Sequence, residues 1–97
     1  MPKGYIVVCY KEIRDPEKVK KYSELAPLAM RPRGAKILAR DGRVSAFEDG
    51  IEERTVVAEF PSYEAALEAY NSPEYQAAKE ALGDGAIRDF RIVEGVD

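Results

Sequence analysis

Two helix-start signals follow one another closely in the second half of the chain, and they constrain its local structure most. A β-branched and apolar stretch ends at Pro61, and the hydroxyl of Ser62 is placed to cap the helix that follows. Ser72 offers a second cap, and Pro73 then takes the first helical position, where the missing N–H is no loss. The segment therefore predicts a strand, a helix over residues 62–71 and a second capped segment after it.

The first half of the chain predicts a strand and a longer helix. Residues 4–10 are mostly β-branched and aromatic, which is typical of a strand. Asp15 is placed as the cap of a helix whose first position is Pro16, and an apolar stripe at helical spacing follows. Pro27 falls inside this helix and predicts a kink or an interruption there.

Residues 35–60 predict a hairpin. A second strand over residues 35–40 continues past a bulge at residues 41–42 into residues 43–48. The Asp-Gly pair at residues 49–50 is a hairpin turn signal, and it sends residues 54–60 back antiparallel to the second strand.

With a closing strand over residues 87–93, the order of elements is βαββαβ. This order predicts one α+β domain over residues 1–97, a ferredoxin-like sandwich with the helices on one face of the sheet. The other face carries apolar side chains such as Val7 and Val57. We therefore expect two copies to pair sheet to sheet in a homodimer.

Composition excludes several kinds of site and partner. The chain has 97 residues, no histidine and one cysteine, which rules out a histidine-based triad and a His- or Cys-based metal site within it. No glycine-rich phosphate loop follows a strand, and we expect neither a metal nor a cofactor. The net charge of −3 and the lack of aromatics among the basic residues argue against nucleic acid. The longest apolar run is too short for a membrane span, and we expect a cytoplasmic protein.

Six short segments spread along nearly the whole chain form a family pattern. They are residues 3–5, 15–17, 38–42, 54–57, 59–62 and 72–75. Together they resemble the domain-of-unknown-function family thirteen-thirty, within the dimeric α/β-barrel group of ferredoxin-like folds. The resemblance implies a dimer in which two sheets form a barrel, and it assigns no activity. Relatives in the wider group include cofactor-free monooxygenases, lactone isomerases and small-ligand binders, which is an analogy at the level of fold.

Arg40 is the basic residue with the most specific expected partner. If the hairpin turns at residues 49–50 with a bulge at residues 41–42, Arg40 lies opposite Glu59. An arginine facing a carboxylate inside a sheet is either a structural ion pair or the polar floor of a pocket. We predict this cross-strand pair beside the main pocket.

Three further residues are candidates for ligand contact. Arg54 supplies a second positive charge at the start of a predicted strand. Tyr5 carries a phenol that could reach a pocket mouth or serve only the structure. Tyr75 follows a helix cap, and the alternative to ligand contact is that it packs beneath the turn.

Three hypotheses about function follow. In the first, a homodimer binds a small polar or anionic organic ligand between sheet and helices, with Arg40 and Arg54 as charge partners and Tyr5 as a donor. In the second, a cofactor-free isomerase, lyase or monooxygenase acts on a small carbonyl compound, with Glu59 as general base. An adjacent Arg40 would weaken Glu59 as a base, which favours binding. The third is a structural or assembly module without a ligand.

Overall fold

Four antiparallel strands form one sheet, and the helices pack on one of its faces. The computed structural model describes residues 2–96. The sheet order is β2-β3-β1-β4, with β1 and β3 at the centre, so the predicted ferredoxin-like α+β fold is confirmed. In chain order the elements are β1 (Gly4–Ile13), α1 (Pro16–Met30), a short 3₁₀ turn (Arg31–Arg33), β2 (Lys36–Ala39), β3 (Thr55–Phe60), α2 (Tyr63–Asn71), α3 (Pro73–Leu82) and β4 (Ala86–Glu94).

The predicted helix caps are present at all three helices. The carboxylate of Asp15 accepts the first backbone N–H groups of α1, and the hydroxyls of Ser62 and Ser72 do the same for α2 and α3. Pro27 lies inside α1 but does not end it, because the helix continues to Met30. Pro27 removes one helical hydrogen bond without stopping the helix. Among residues 2–96, no helix is long and apolar enough to cross a bilayer.

The second strand is shorter than the sequence predicts. It ends at Ala39, and the bulge lies between Ile37 and Ala39 instead of at residues 41–42. Residues 40–54 form a loop that contains no strand. A turn does occur before Gly50, whose N–H donates to the carbonyl of Phe47 at 2.9 Å, but the chain on either side of it does not pair as a ladder.

The register between β2 and β3 places Lys36 opposite Glu59. The predicted cross-strand pair of Arg40 and Glu59 is therefore wrong. Its physical reason is the early end of β2: the chain leaves the sheet after Ala39, and Asp41 takes a left-handed backbone conformation with φ of 61°. A shift of this kind changes every cross-strand partner that is counted from the turn.

Alternation along the strands separates a core face from an open face. On the core face, large side chains such as Ile6, Tyr10 and Phe60 are almost fully buried against the helices. Full burial of a large apolar side chain contributes about 1.5 to 3 kcal/mol. On the open face, Val7 and Val57 are direct partners across β1 and β3, and both are half-buried. The predicted apolar character of this face is confirmed at these two positions.

Gly4 on β1 lies directly against the backbone at the start of α2. A Cβ atom at Gly4 would lie 2.4 Å from the carbonyl oxygen of Ser62, so the backbone would have to move. We expect Gly4→Ala to lower the free energy of unfolding by about 1 to 3 kcal/mol, measured by urea denaturation. Gly42→Ala is the control, because nothing lies within 4 Å of a Cβ there. Equal stability of the two variants would contradict this packing.

Candidate functional site

A cavity lies between the core face of the sheet and α1. The space open to the centre of a water molecule in it is about 60 Å³, which is room for several waters or a small ligand, and the volume of about 540 Å³ counted out to its mouth includes open solvent. Small side chains leave this space open, since Ala26 on α1 and Ala58 on β3 lie on its walls. Most of the wall is apolar, and the polar or charged residues on it are Tyr10, Tyr22, Ser23, Arg40, Arg54 and Arg88.

Arg54 is fixed at the cavity and keeps one donor free. It directly precedes β3, and its carbonyl accepts the N–H of Tyr10 at 2.9 Å. One terminal nitrogen of its guanidinium binds the carboxylate of Asp41, and the other donates to the hydroxyl of Ser23 at 3.2 Å. The side chain is held in place while its buried Nε–H has no acceptor among the described residues.

Arg88 is a buried cation surrounded by aromatic rings. Its guanidinium carbon lies 4.6 Å from the ring centroid of Tyr22, 5.3 Å from that of Phe90 and 5.6 Å from that of Tyr10. Its Nη2 donates to the hydroxyl of Tyr75 at 3.5 Å, and its buried Nη1 has no acceptor in the described chain. Burial by itself disfavours the guanidinium, but Tyr22 and Tyr75 outweigh burial and raise the pKa of Arg88.

The sequence reasoning missed Arg88, although a signal was available. Along β4, Arg88 alternates with Asp89 and lies on the same face as Phe90 and Ile92. An arginine on the apolar face of a strand has to be paired or buried with compensation. Once the register of β4 is known, Arg88 is therefore a candidate functional residue.

Tyr75 supports the cavity wall from behind. Its side chain is fully buried, and its hydroxyl lies 2.7 Å from the hydroxyl of Tyr22. The two rings are in edge-to-face contact, with centroids 6.0 Å apart. Burial raises the pKa of Tyr75 well above its ordinary value, so the phenol is neutral. Tyr22 lines the cavity, whereas Tyr75 does not and instead contacts three residues that do, Tyr22, Arg88 and Phe90.

The predicted site residues divide between the two faces of the sheet. Arg40 and Arg54 lie together on the cavity wall. Tyr5 and Glu59 lie on the open face, where the Tyr5 hydroxyl donates to Glu59 at 3.4 Å and the Nζ of Lys3 lies 3.2 Å from the same carboxylate. The structure therefore brings Tyr5 and Glu59 together, but it does not bring them to the cavity.

An outer groove continues the cavity toward solvent. It shares four residues with the cavity, Ser23, Pro27, Arg40 and Arg54, and adds four more, Glu24, Leu28, Arg31 and Asp41. The ion pair of Arg54 and Asp41 thus lies where the groove and the cavity meet. Three arginines and two carboxylates therefore line this outer end.

A family model described as domain of unknown function (DUF1330) matches residues 3–96. The chain belongs to this family. The resemblance carried by the six sequence segments is therefore confirmed, and the family description assigns no activity. The chain matches no curated protein sequence.

Solved structures similar to this DUF1330 chain share its fold at low sequence identity. A protein of unknown function from Rhodopseudomonas palustris is 15% identical with a TM-score of 0.75, over 99% of this chain and 84% of that chain. A dimeric ferredoxin-like protein of unknown function from Thermobifida fusca is 13% identical with a TM-score of 0.58, and the match covers 96% of this chain and 91% of that chain. SnoaB, a cofactor-independent oxygenase from Streptomyces nogalater, is 8% identical with a TM-score of 0.60, and the match covers 99% of this chain and 93% of that chain. These identities establish the fold and not the activity.

The raised pKa of Tyr75 predicts a loss of stability in alkali. The unfolded chain ionises its tyrosines near pH 10, whereas folded Tyr75 stays neutral, so its contribution is present below pH 10 and is lost as the pH rises further. Above pH 10, the unfolding free energy of the wild type should fall more steeply than that of Tyr75→Phe, by up to about 1.4 kcal/mol per pH unit. Urea denaturation at several pH values measures both slopes.

Between about pH 7 and 9, where tyrosine does not ionise, the difference in stability between wild type and Tyr75→Phe should stay constant. Parallel curves above pH 10 would contradict the burial of a neutral phenol at this position.

Proposed function

We propose that this protein is a binding module that holds a small anionic organic molecule in the cavity between the sheet and α1. The observation that carries the proposal is the set of three arginines that line the cavity, Arg40, Arg54 and Arg88, while no aspartate or glutamate of the described chain lines it. A guanidinium is a cation that can only donate hydrogen bonds. An anionic ligand supplies negative charge to these arginines, for which Asp41 is the one salt-bridge partner among the described residues.

Energetics favour such a ligand. A buried donor without an acceptor costs about 1 to 3 kcal/mol, and more when it belongs to a charged group. Arg54 is partly compensated by Asp41, but no carboxylate within residues 2–96 forms a salt bridge with Arg88. The apolar part of the wall, which includes Met30 and Ile37, suits an apolar ligand body. Arg40 at the entrance and Arg54 are the predicted ligand contacts that this proposal retains.

Binding is a better proposal than cofactor-free catalysis because of the carboxylate positions. Among the described residues, the cavity wall includes no aspartate or glutamate that could serve as a general base. Glu59, the predicted base, lies on the open face beside Tyr5. The oxygenase activity of SnoaB belongs to a structural neighbour at 8% identity and supports no catalytic assignment here.

We further propose that the module is a cytoplasmic homodimer whose open sheet faces meet. The half-buried pair Val7 and Val57 supplies an apolar centre for such an interface, and a structural neighbour is described as dimeric. The single Cys9 cannot form a disulfide within the chain, which agrees with a reducing compartment.

The charge preference of the cavity can be measured with two probes that share one apolar body. Isocaproate carries a carboxylate and isoamylamine carries an ammonium group. At millimolar concentration we expect isocaproate to raise the melting temperature by several degrees and isoamylamine to have no effect, because the cavity offers guanidinium donors. Native mass spectrometry of freshly purified protein would identify a retained anion directly.

Arg88→Gln should abolish the isocaproate response, because it removes the buried cation. Arg14→Gln is the matched control, since Arg14 is exposed and pairs with Glu12 outside the cavity. Equal responses to the two probes, or equal responses of the two variants, would overturn the proposed function.

Assembly can be tested on the open face without changing the cavity. Val57→Glu places a carboxylate in the apolar centre of this face and should convert a dimer into a monomer in sedimentation at micromolar concentration. Leu28→Glu is the control, because Leu28 is exposed on the helix side of the sheet. A monomeric wild type would contradict the dimer.

A further inference from the structure

Asp41 already binds both of the ligand contacts that the proposed function retains. Its Oδ1 accepts from Nη1 of Arg54, and its Oδ2 lies 3.9 Å from Nε of Arg40. The two ends of the stronger contact differ in exposure, since 17% of the Arg54 side chain is exposed but 59% of the Asp41 side chain. Asp41 can therefore turn out into water, and its carboxylate now stands where a ligand carboxylate would bind.

Arg54 offers a carboxylate no other edge for a two-point contact. A guanidinium presents an end-on edge with both terminal nitrogens and a side edge that includes Nε. The side edge is closed because Nε is buried. The end-on edge consists of Nη1, which binds Asp41, and Nη2, which donates to Ser23 at 3.2 Å. A ligand carboxylate that binds two nitrogens of Arg54 therefore competes with Asp41.

Asp41 lies on the way into the cavity. It lines the outer groove beside Arg40 and Arg54, and these two arginines also line the cavity, whereas Asp41 does not. The other carboxylate of the groove belongs to Glu24, and no salt bridge within residues 2–96 includes it. Of the two carboxylates at the entrance, only Asp41 thus occupies the cationic groups that an anionic ligand needs.

We propose that Asp41 is an internal competitor of the ligand, an autoinhibitory contact whose carboxylate occupies Arg40 and Arg54 until the carboxylate of the ligand replaces it. This rests on the proposed function. Exchange of one carboxylate for another replaces the lost ion pair by a similar one. An anion without an apolar body gains little from this exchange, whereas burial of an apolar body in the cavity favours it. The contact therefore favours a carboxylate with an apolar body over a small inorganic anion.

Calorimetry with isocaproate and with isocaproamide, a neutral probe of the same carbon skeleton, measures the competition. Asp41→Asn removes the competing charge, and asparagine tolerates the left-handed backbone with φ of 61° at this position. We expect this variant to bind isocaproate about tenfold more tightly than wild type does, which corresponds to about 1.4 kcal/mol. Isocaproamide has no charge with which to replace Asp41, so its affinity should change by about twofold or less.

Glu24→Gln is the matched control, because it removes an exposed negative charge from the same groove without releasing an arginine. Its effect on isocaproate should be about twofold or less, since water and salt screen exposed charges. Equal gains in the two variants, equal gains for the two probes, or no tighter binding of isocaproate by Asp41→Asn overturns the inference and leaves the proposed function standing. If neither wild type nor Asp41→Asn binds isocaproate, the proposed function fails with it. Should Asp41→Asn not fold, Asp41→Gly removes the same carboxylate and also accepts a positive φ.

Discussion

The charge preference proposed for the cavity depends on one buried cation, Arg88. Arg88 sits among the rings of Tyr10, Tyr22 and Phe90, and no carboxylate in residues 2–96 pairs with it. Taking a lone charge out of water is expensive. Contact with an aromatic ring face returns about 0.5 to 2 kcal/mol, and the Tyr75 hydroxyl adds a hydrogen bond at 3.5 Å. What remains uncompensated is the physical basis for proposing that the cavity prefers an anionic ligand.

The shape of the cavity follows from where the chain leaves the sheet. β2 ends at Ala39, and the loop over residues 40–54 then returns to Arg54 at the start of β3. The ion pair of Asp41 and Arg54 joins the two ends of this loop beside the entrance. A longer β2 would have extended the sheet at this edge, whereas the short strand leaves the entrance to charged side chains of both signs. The same ion pair that closes the loop also orients Arg54.

The sequence predicted those features that depend on neighbouring residues. The caps at Asp15, Ser62 and Ser72 are local contacts, and each is readable from residue type and spacing. The pairing of Arg40 with Glu59 failed because a register depends on where a strand ends, and Asp-Gly pairs occur in loops as well as in hairpin turns. Arg88 was missed for a related reason: only the register of β4 against β1 places it opposite Tyr10 on the core face.

Because side chains alternate along each strand, the two faces of the sheet carry different residues. Along β3, Ala58 lies on the cavity wall while its neighbours Val57 and Glu59 lie on the open face. Tyr5 and Glu59 are direct register partners there, at the polar end of a face whose centre is apolar. Protein interfaces commonly combine an apolar centre with a polar rim. Glu59, the general base of the catalytic hypothesis, thus lies with Tyr5 at a polar edge that suits the rim of the proposed assembly surface, on the other side of the sheet from the cavity.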